Sequence, residues 1–135
     1  MTQTDAIGQI LAQCRTVAVV GLSPKPWRDS YRIAGYMQRQ GWRIVPINPN
    51  AGEILGEPAY PDLAAAARAQ PIDLVNVFRN SADVPPVADE AIAIGAGALW
   101  LQSGIVHEAA AAKARAAGLL VVQDKCLMVE HRRRQ

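Results

Sequence analysis

The residues best suited to chemistry stand just after the first run of β-branched residues, where Gly21-Leu22-Ser23 is followed by Lys25 and Arg28. A glycine at the end of a strand allows a tight turn, and the N–H groups of that turn and of a following helix start can hold a phosphate. Ser30 lies at the expected helix start, and Arg32 adds further positive charge. The pattern predicts a cradle for an anion, with phosphate as its natural ligand.

The end of the second β-rich run narrows the class of nucleotide. Proteins that bind NAD usually carry Asp or Glu there, to accept hydrogen bonds from the adenosine ribose. This chain has Asn48 and Pro49 instead, and Ser23 replaces the second glycine of the G-x-G-x-x-G fingerprint. Because no carboxylate repels a phosphate on the ribose, NADP and coenzyme A (CoA) both fit this pattern, whereas NAD fits less well.

Polar or glycine-containing segments follow the later apolar runs in the same way. The carboxyl ends of parallel strands meet at one edge of a sheet, so we expect all such segments to converge on one ligand site. The five segments are Gly21-Leu22-Ser23, Asn48-Pro49, Phe78-Arg79-Asn80, Gln102-Ser103-Gly104 and Gln123-Asp124-Lys125-Cys126.

No catalytic set stands out among the remaining residues. His107 and His131 are not evidently paired with a nucleophile and a carboxylate, and no second carboxylate completes an acid/base pair with Asp73 or Asp124. Cys126 lies at the expected ligand edge beside a lysine, a setting that favours exchange with a small thiol, although an inert, packed cysteine is the alternative. Enzymatic activity is therefore not predicted.

The elements that position these segments alternate regularly between β-branched and alanine-rich stretches, which is typical of repeated βαβ units. We predict a doubly wound α/β fold with a parallel sheet of about five strands between two helical layers, an αβα sandwich. A tight excursion is expected at 53–60. Strands are predicted at 16–20, 42–47, 72–78, 98–101 and 119–122. Helices are predicted at 5–13, 82–94 and 107–117. Two more helices are expected between them, one capped by Asp29 or Ser30 and ending at 39, and one beginning at about 61.

Size, charge and cysteine content describe the setting of this fold. The 135 residues predict one domain over 1–135, and half of them are hydrophobic, enough for a core. The formal charge of +2 argues against nucleic acid, and the dense run Arg132-Arg133-Arg134 is expected to be a mobile, solvated tail. Short apolar runs and two cysteines without a metal-site spacing indicate a cytoplasmic protein that neither enters a membrane nor binds a metal. A homodimer is plausible for a domain of this size.

With these residues identified, the chain resembles the small CoA-binding proteins of bacteria and archaea, which are similar to the CoA-binding domain of the succinyl-CoA synthetase alpha subunit. The resemblance covers nearly the whole chain. It implies a Rossmann-like fold that binds CoA at the strand ends. The segments that carry it are Val19-Val20-Gly21-Leu22-Ser23, Arg28-Asp29-Ser30-Tyr31, Val45-Pro46-Ile47-Asn48-Pro49, Val77-Phe78-Arg79, Leu99-Trp100-Leu101-Gln102-Ser103-Gly104 and Val121-Val122-Gln123-Asp124-Lys125-Cys126.

The resemblance also implies a role for each site residue. The ligases carry a phosphorylated histidine in a further domain for which this chain has no room, and His107 stands at a helix-capping place often filled by Asn. A non-catalytic carrier, sensor or accessory module for CoA or a CoA thioester is therefore expected. The implied contacts are the pyrophosphate for Gly21, Leu22 and Ser23, other phosphate groups for Lys25, Arg28 and Ser30, the adenosine for Asn48 and Pro49, the adenine and pantetheine path for Phe78 and Arg79, and the far side of the cleft for Gln102 and Gly104.

Two other functions are also compatible with these residues. A small NADP-linked oxidoreductase would use the same phosphate cradle, although no proton donor for hydride transfer is evident. A thiol-redox protein would form a mixed disulfide between Cys126 and CoA.

Overall fold

Strands and helices alternate along the chain in the predicted order. The computed structural model describes all residues from Met1 to Gln135. The elements are α1 (Gln3–Gln13), β1 (Thr16–Val20), α2 (Asp29–Arg39), β2 (Arg43–Ile47), β3 (Glu53–Ile54), β4 (Glu57–Pro58), α3 (Leu63–Ala69), β5 (Leu74–Val77), α4 (Val84–Ala93), β6 (Ala98–Leu101), α5 (Glu108–Ala116), β7 (Leu120–Val122) and α6 (Leu127–Arg133).

Five of the strands form one sheet in the order β2-β1-β5-β6-β7, and each neighbouring pair is parallel. The chain moves from β1 to β2 on one side, then crosses back to place β5 on the other side of β1. The direction of winding therefore changes between β1 and β5, and open α/β sheets bind their ligands at such a switch point. The predicted doubly wound, Rossmann-like fold is confirmed.

Each face of the sheet packs against its own layer of helices. Ala18 and Val20 of β1 point toward the layer made by α3, α4 and α5, whereas Val17 and Val19 point toward α1, α2 and α6. The strands are consequently buried on both faces, which explains why they read as continuous apolar runs. The three-layer arrangement follows directly from this double burial.

A small antiparallel hairpin, β3 with β4, forms the predicted excursion between β2 and α3. Its turn consists of Leu55 and Gly56, both with positive φ (56° and 77°), the conformation that a two-residue hairpin favours. Gln38 of α2 donates a hydrogen bond to the carbonyl oxygen of Leu55 at 2.9 Å. The hairpin is thereby attached to α2.

The carboxyl-terminal segment differs from the sequence prediction. The run Arg132-Arg133-Arg134, predicted as a mobile tail, lies at the end of α6. Leu127, the first residue of this helix, is fully buried. The buried carboxylate of Glu130 forms ion pairs with Arg133 and Arg134, at 3.2 Å each. Burial of one leucine and one acidic residue thus orders a segment whose composition alone indicates a solvated end.

His131 attaches α6 to α2. Its Nδ1 atom lies 2.8 Å from the hydroxyl oxygen of Tyr36, and its ring meets the Trp42 ring edge-on at 6.5 Å between centroids. Removal of the ring from water, with a smaller contribution from the Arg15 charge, lowers the pKa of His131. The histidine therefore packs in an aromatic contact that lies on the far side of the molecule from the carboxyl ends of the strands.

Candidate functional site

An open cleft of about 820 Å³ lies at the carboxyl edge of the sheet, above the ends of β1, β2 and β5. This place is the switch point that the strand order defines. Ten of the predicted site residues line the cleft: Gly21, Leu22, Ser23, Lys25, Arg28, Ser30, Asn48, Pro49, Phe78 and Arg79.

Gly21 forms the floor of the cleft and cannot carry a side chain there. Its φ is +86°, and a Cβ atom at this position would collide with the carbonyl oxygen of Phe78. Its N–H donates to the carbonyl oxygen of Ile47 at 3.2 Å, so the ends of three strands meet around this residue. The close backbone approach explains the glycine that the sequence places after β1.

Two serines shape the loop between β1 and α2. The N–H of Ser23 donates to Oγ of Ser30 at 3.0 Å, and the N–H of Lys25 donates to Oγ of Ser23 at 3.1 Å. The prediction that Asp29 or Ser30 caps α2 is wrong, because Arg28 occupies the N-cap position and no side chain caps the helix. The first-turn N–H groups of α2 are left for a ligand, and the helix dipole favours a negatively charged one.

The charged side chains around the cleft are mostly cationic. Lys25, Arg28 and Arg79 all line it and all are exposed. Asp29 is the one acidic lining residue, and its carboxylate forms an ion pair with Arg32 at 2.5 Å. Both members of that pair are more than half exposed, so the ion pair adds little stability. The Arg32 charge nevertheless offsets the negative charge of the Asp29 carboxylate beside the cleft. The net field favours an anion.

Asn48 ties the loop after β2 to the loop after β1. Its Nδ2 group donates to the carbonyl oxygen of Leu22 at 3.0 Å, and its Oδ1 atom accepts from the N–H of Asn50 at 2.8 Å. Neither this amide nor Pro49 carries a charge. The wall formed by the end of β2 is therefore neutral, as the sequence indicates, and carries no carboxylate that would repel an anion.

The remaining three predicted site residues lie apart from the main cleft. Gly104 borders a shallow groove of about 490 Å³ that shares Phe78 and Arg79 with the cleft. Gln102 is 3% exposed, and its Nε2 group donates to Oδ1 of Asn76 at 2.8 Å. Cys126 is partly exposed at the start of α6 and is not among the lining residues. Ligand contacts by these three residues stay predictions, as do those by the ten residues that line the cleft.

Sequence reasoning missed one prominent residue of the cleft, Trp27. Its side chain is 71% exposed, and the Lys25 Nζ atom lies 6.0 Å from the centre of its ring. A tryptophan in so apolar a chain is normally assigned to the core. Its position between Pro26 and Arg28, inside a loop already predicted to bind phosphate, is the signal that would have indicated an exposed role.

Two further titratable side chains, His107 and Cys14, lie outside the cleft. His107 caps α5, since its Nδ1 atom accepts the N–H of Ala110 at 3.1 Å. Burial, with the charge of Asp73 as a second cause, raises the pKa of the Cys14 thiol to about 11.

No group of three or more His, Cys, Asp or Glu side chains is arranged to hold a metal ion, and none of the helices has the length and hydropathy to cross a bilayer.

The fold and the cleft together define a doubly wound α/β protein with a cationic cleft at its switch point. Residues 15–132 match the family described as the CoA binding domain. This match spans most of the chain, and the protein belongs to the CoA-binding domain family.

Comparison with individual proteins agrees with this assignment. The chain is 40% identical over 125 residues to the uncharacterized protein YneT of Bacillus subtilis (strain 168), covering 93% of this chain and 91% of that one. It is 34% identical to a hypothetical protein from Pyrococcus horikoshii OT3, with a TM-score of 0.91 over 98% of this chain and 92% of the other. A dinucleotide forming acetyl-coenzyme A synthetase 1 from Ca. Korarchaeum cryptofilum shares the fold over 84% of this chain and 26% of its own, at 23% identity and a TM-score of 0.74.

Proposed function

We propose that the cleft binds CoA or a CoA thioester, and that the protein acts as a non-catalytic carrier, sensor or accessory module. The observation that carries this proposal is the loop between β1 and α2, where a glycine floor, an uncapped helix start and the cations Lys25 and Arg28 surround one space. Membership of the CoA-binding domain family supports CoA as the anion that this space accepts.

The chemical parts of CoA match different walls of the cleft. The pyrophosphate would lie against the N–H groups of the Gly21–Ser23 turn and of the first turn of α2, since these groups face it with positive dipoles. Lys25 and Arg28 supply charge for the ribose phosphate. The adenosine would lie beside Asn48 and Pro49, where no carboxylate opposes it.

The pantetheine arm requires a path away from the phosphates. Phe78 offers an apolar surface and Arg79 a cation at the side of the cleft toward β6, and both also border the groove that contains Gly104. An extended arm would therefore run along this side of the cleft. The cleft and the groove together provide a continuous edge for a long ligand.

The lining residues favour binding over catalysis. General acid/base and nucleophilic steps require a His, Cys, Lys or carboxylate within hydrogen-bond reach of the reacting atoms, or a hydroxyl nucleophile with such a base beside it. The cleft contains neither histidine nor cysteine, and its one carboxylate, Asp29, is held by Arg32 at the rim. Lys25 is exposed beside the phosphate cradle, where its charge serves to bind a phosphate.

Titration calorimetry with four ligands in one buffer tests the proposal. CoA, dephospho-CoA, NAD and NADPH share an adenosine diphosphate but differ in the phosphate on the ribose and in the arm. We expect saturable binding of CoA, with weaker binding of dephospho-CoA because it lacks the ribose phosphate. Tightest binding of NADPH would favour an oxidoreductase instead, and absence of CoA binding at near-millimolar ligand would refute the proposal.

A further inference from the structure

We propose that Trp27 is a specificity residue of the cleft and that its indole stacks on the adenine base of CoA. This inference rests on the proposed function and adds to it the residue that selects ligands with a purine base. Nothing in the sequence pattern of the phosphate cradle requires an aromatic residue at this position, so its presence calls for a separate explanation.

The exposure of Trp27 sets it apart from the other two tryptophans. Trp42 is 4% exposed and Trp100 is fully buried, whereas Trp27 leaves 71% of its surface in water. So exposed an apolar ring contributes little to the stability of the free protein, because little of its surface is removed from water on folding. A ligand that covers the ring in the bound state gains the free energy of burying it, which is the usual reason for an exposed aromatic residue in a binding site.

The backbone that carries Trp27 is fixed. The N–H of Arg28 donates to the carbonyl oxygen of Lys25 at 3.1 Å and closes a four-residue turn, with Pro26 and Trp27 at its two central positions. Proline restricts φ at the second position of such a turn. The exposed position of the indole is therefore built into the loop, and little backbone entropy is lost when a ligand binds against it.

The position of the indole indicates which part of the ligand it meets. Trp27 stands between the two cations proposed to hold phosphate groups, with the ring centre 6.0 Å from Lys25 Nζ. The ribose that bears those phosphates on the adenosine side also carries a flat purine, whose face matches an indole. The pantetheine arm has no flat aromatic face and is expected to leave on the Phe78 side of the cleft.

Calorimetry with two fragments of CoA separates the base from the arm. Adenosine 3′,5′-bisphosphate contains the base without the arm, and 4′-phosphopantetheine contains the arm without the base. We expect Trp27→Ala to weaken binding of CoA and of the adenosine bisphosphate roughly 5- to 150-fold, the range for loss of one stacked base, and to leave phosphopantetheine binding unchanged. Trp27→Phe should retain most of the affinity, because phenylalanine also offers a flat face.

Fluorescence supplies a second readout from the same proteins. Since the other tryptophans are buried, saturating CoA or adenosine bisphosphate should quench the emission of the unaltered protein and not that of Trp27→Phe. Val106→Ala, which alters an exposed apolar residue outside the cleft, is the matched control for affinity. Circular dichroism checks that each variant is folded.

The outcomes distinguish this inference from the proposed function. If the unaltered protein binds CoA, and Trp27→Ala binds CoA and adenosine 3′,5′-bisphosphate as tightly as the unaltered protein does, the inference is wrong and the proposed function stands. A loss of phosphopantetheine affinity as large as that for the adenosine bisphosphate also overturns it, because the ring would then contact the arm. If the unaltered protein does not bind CoA, the proposed function fails and the inference fails with it.

Discussion

The two halves of the sheet's carboxyl edge differ although similar residues stand in both. Above β1, β2 and β5, cations line an open cleft. Above β6 and β7, the polar groups bond to one another: Oδ1 of Asp124 accepts the N–H of Gly104 at 2.6 Å, and Oε1 of Gln123 accepts the N–H of His107 at 2.8 Å. We call these the open half and the closed half.

The direction of winding explains the difference. The crossover after β1 passes over the α2 face of the sheet, whereas the crossover after β2 passes over the opposite face, so the loops above β1 and β5 diverge and leave space. The crossovers from β5 to β6 and from β6 to β7 use α4 and α5 on the same face, and their loops close on each other. Polar residues bind a ligand only where the topology leaves room for one.

The largest effect is expected from Gly21→Ala, which fills the floor of the open half. A positive φ costs a non-glycine residue about 1–3 kcal/mol, and the collision with Phe78 adds to that cost and displaces the loop. We expect loss of measurable CoA binding and a lower free energy of unfolding in urea. Gly41→Ala is the matched control, since Gly41 has a φ of +92° but open space around it. Retained CoA affinity in Gly21→Ala would show that the floor is not part of the site.

Arg28→Ala should produce the next largest effect, on binding alone. Loss of a charge-assisted contact to a phosphate weakens affinity by about 1–3 kcal/mol, and the difference should shrink at high salt. Arg68→Ala removes an equally exposed arginine from the last turn of α3, outside the cleft, and should leave calorimetric affinity unchanged. Equal affinities for the two variants at low salt would remove Arg28 from the site.

Asn76→Leu tests whether the buried polar pair of Asn76 and Gln102, which joins β5 to the end of β6, serves stability rather than binding. The substitution leaves the amide of Gln102 without its partner, and an unsatisfied buried group costs about 1–3 kcal/mol. We expect a lower midpoint of urea unfolding with CoA affinity within about twofold of the original. The double variant Asn76→Leu, Gln102→Leu should recover part of the stability. A large loss of affinity in the folded single variant would extend the site to this buried pair.

The two cysteines give a smaller, purely kinetic contrast. Cys126 is partly exposed, whereas Cys14 is buried with its pKa raised to about 11, so at pH 8 only about one in a thousand Cys14 thiols is ionised. We expect a thiol reagent to label one cysteine in the native protein and the second only after unfolding. Saturating CoA should not slow labelling of Cys126, because this residue does not line the cleft. Protection by CoA would place the ligand against Cys126. A mixed disulfide formed by exchange with the disulfide of oxidised CoA, releasing one CoA thiol and absent from Cys126→Ser, would support thiol exchange instead.

The smallest effect concerns α6, which follows the closed half. Burial and the charge of Arg15 lower the pKa of His131, so the folded protein binds a proton more weakly than the unfolded chain does. Stability should therefore decrease as the pH falls through about 6.5, the ordinary pKa of histidine, toward the lower value in the folded state. Thermal unfolding between pH 8 and pH 5.5 should show a smaller decrease for His131→Gln. Identical slopes would assign the pH dependence to other groups.

Much of the fold was predictable because its signals are local. The β-branched run that forms β1 and the glycine that ends it are recognisable within a few residues, and the alternation with alanine-rich segments indicates parallel strands. The same holds for His107, whose position before an alanine-rich stretch indicates a helix cap. The helix at Leu127–Arg133 was missed because it is short and is ordered by distant partners, Tyr36 among them.

The candidate site was predicted only in part for a related reason. Position after a strand brings Gly21, Asn48 and Phe78 to one edge in any parallel sheet, whatever the order of the strands. The partner of Ser30, which is the N–H of Ser23 rather than the helix start, depends on how the loop folds back. Likewise, the exposure of Trp27 depends on the turn that carries it.

The sequence by itself determined which residues stand at the ends of strands, since hydrophobic period and turn composition act over a few neighbouring residues. Only the tertiary structure decided which strand ends lie around an open space. Strand order is set by contacts between segments far apart in the chain, and this order leaves Lys25 and Arg28 facing a cleft while Gln102 and Asp124 are satisfied by neighbouring groups.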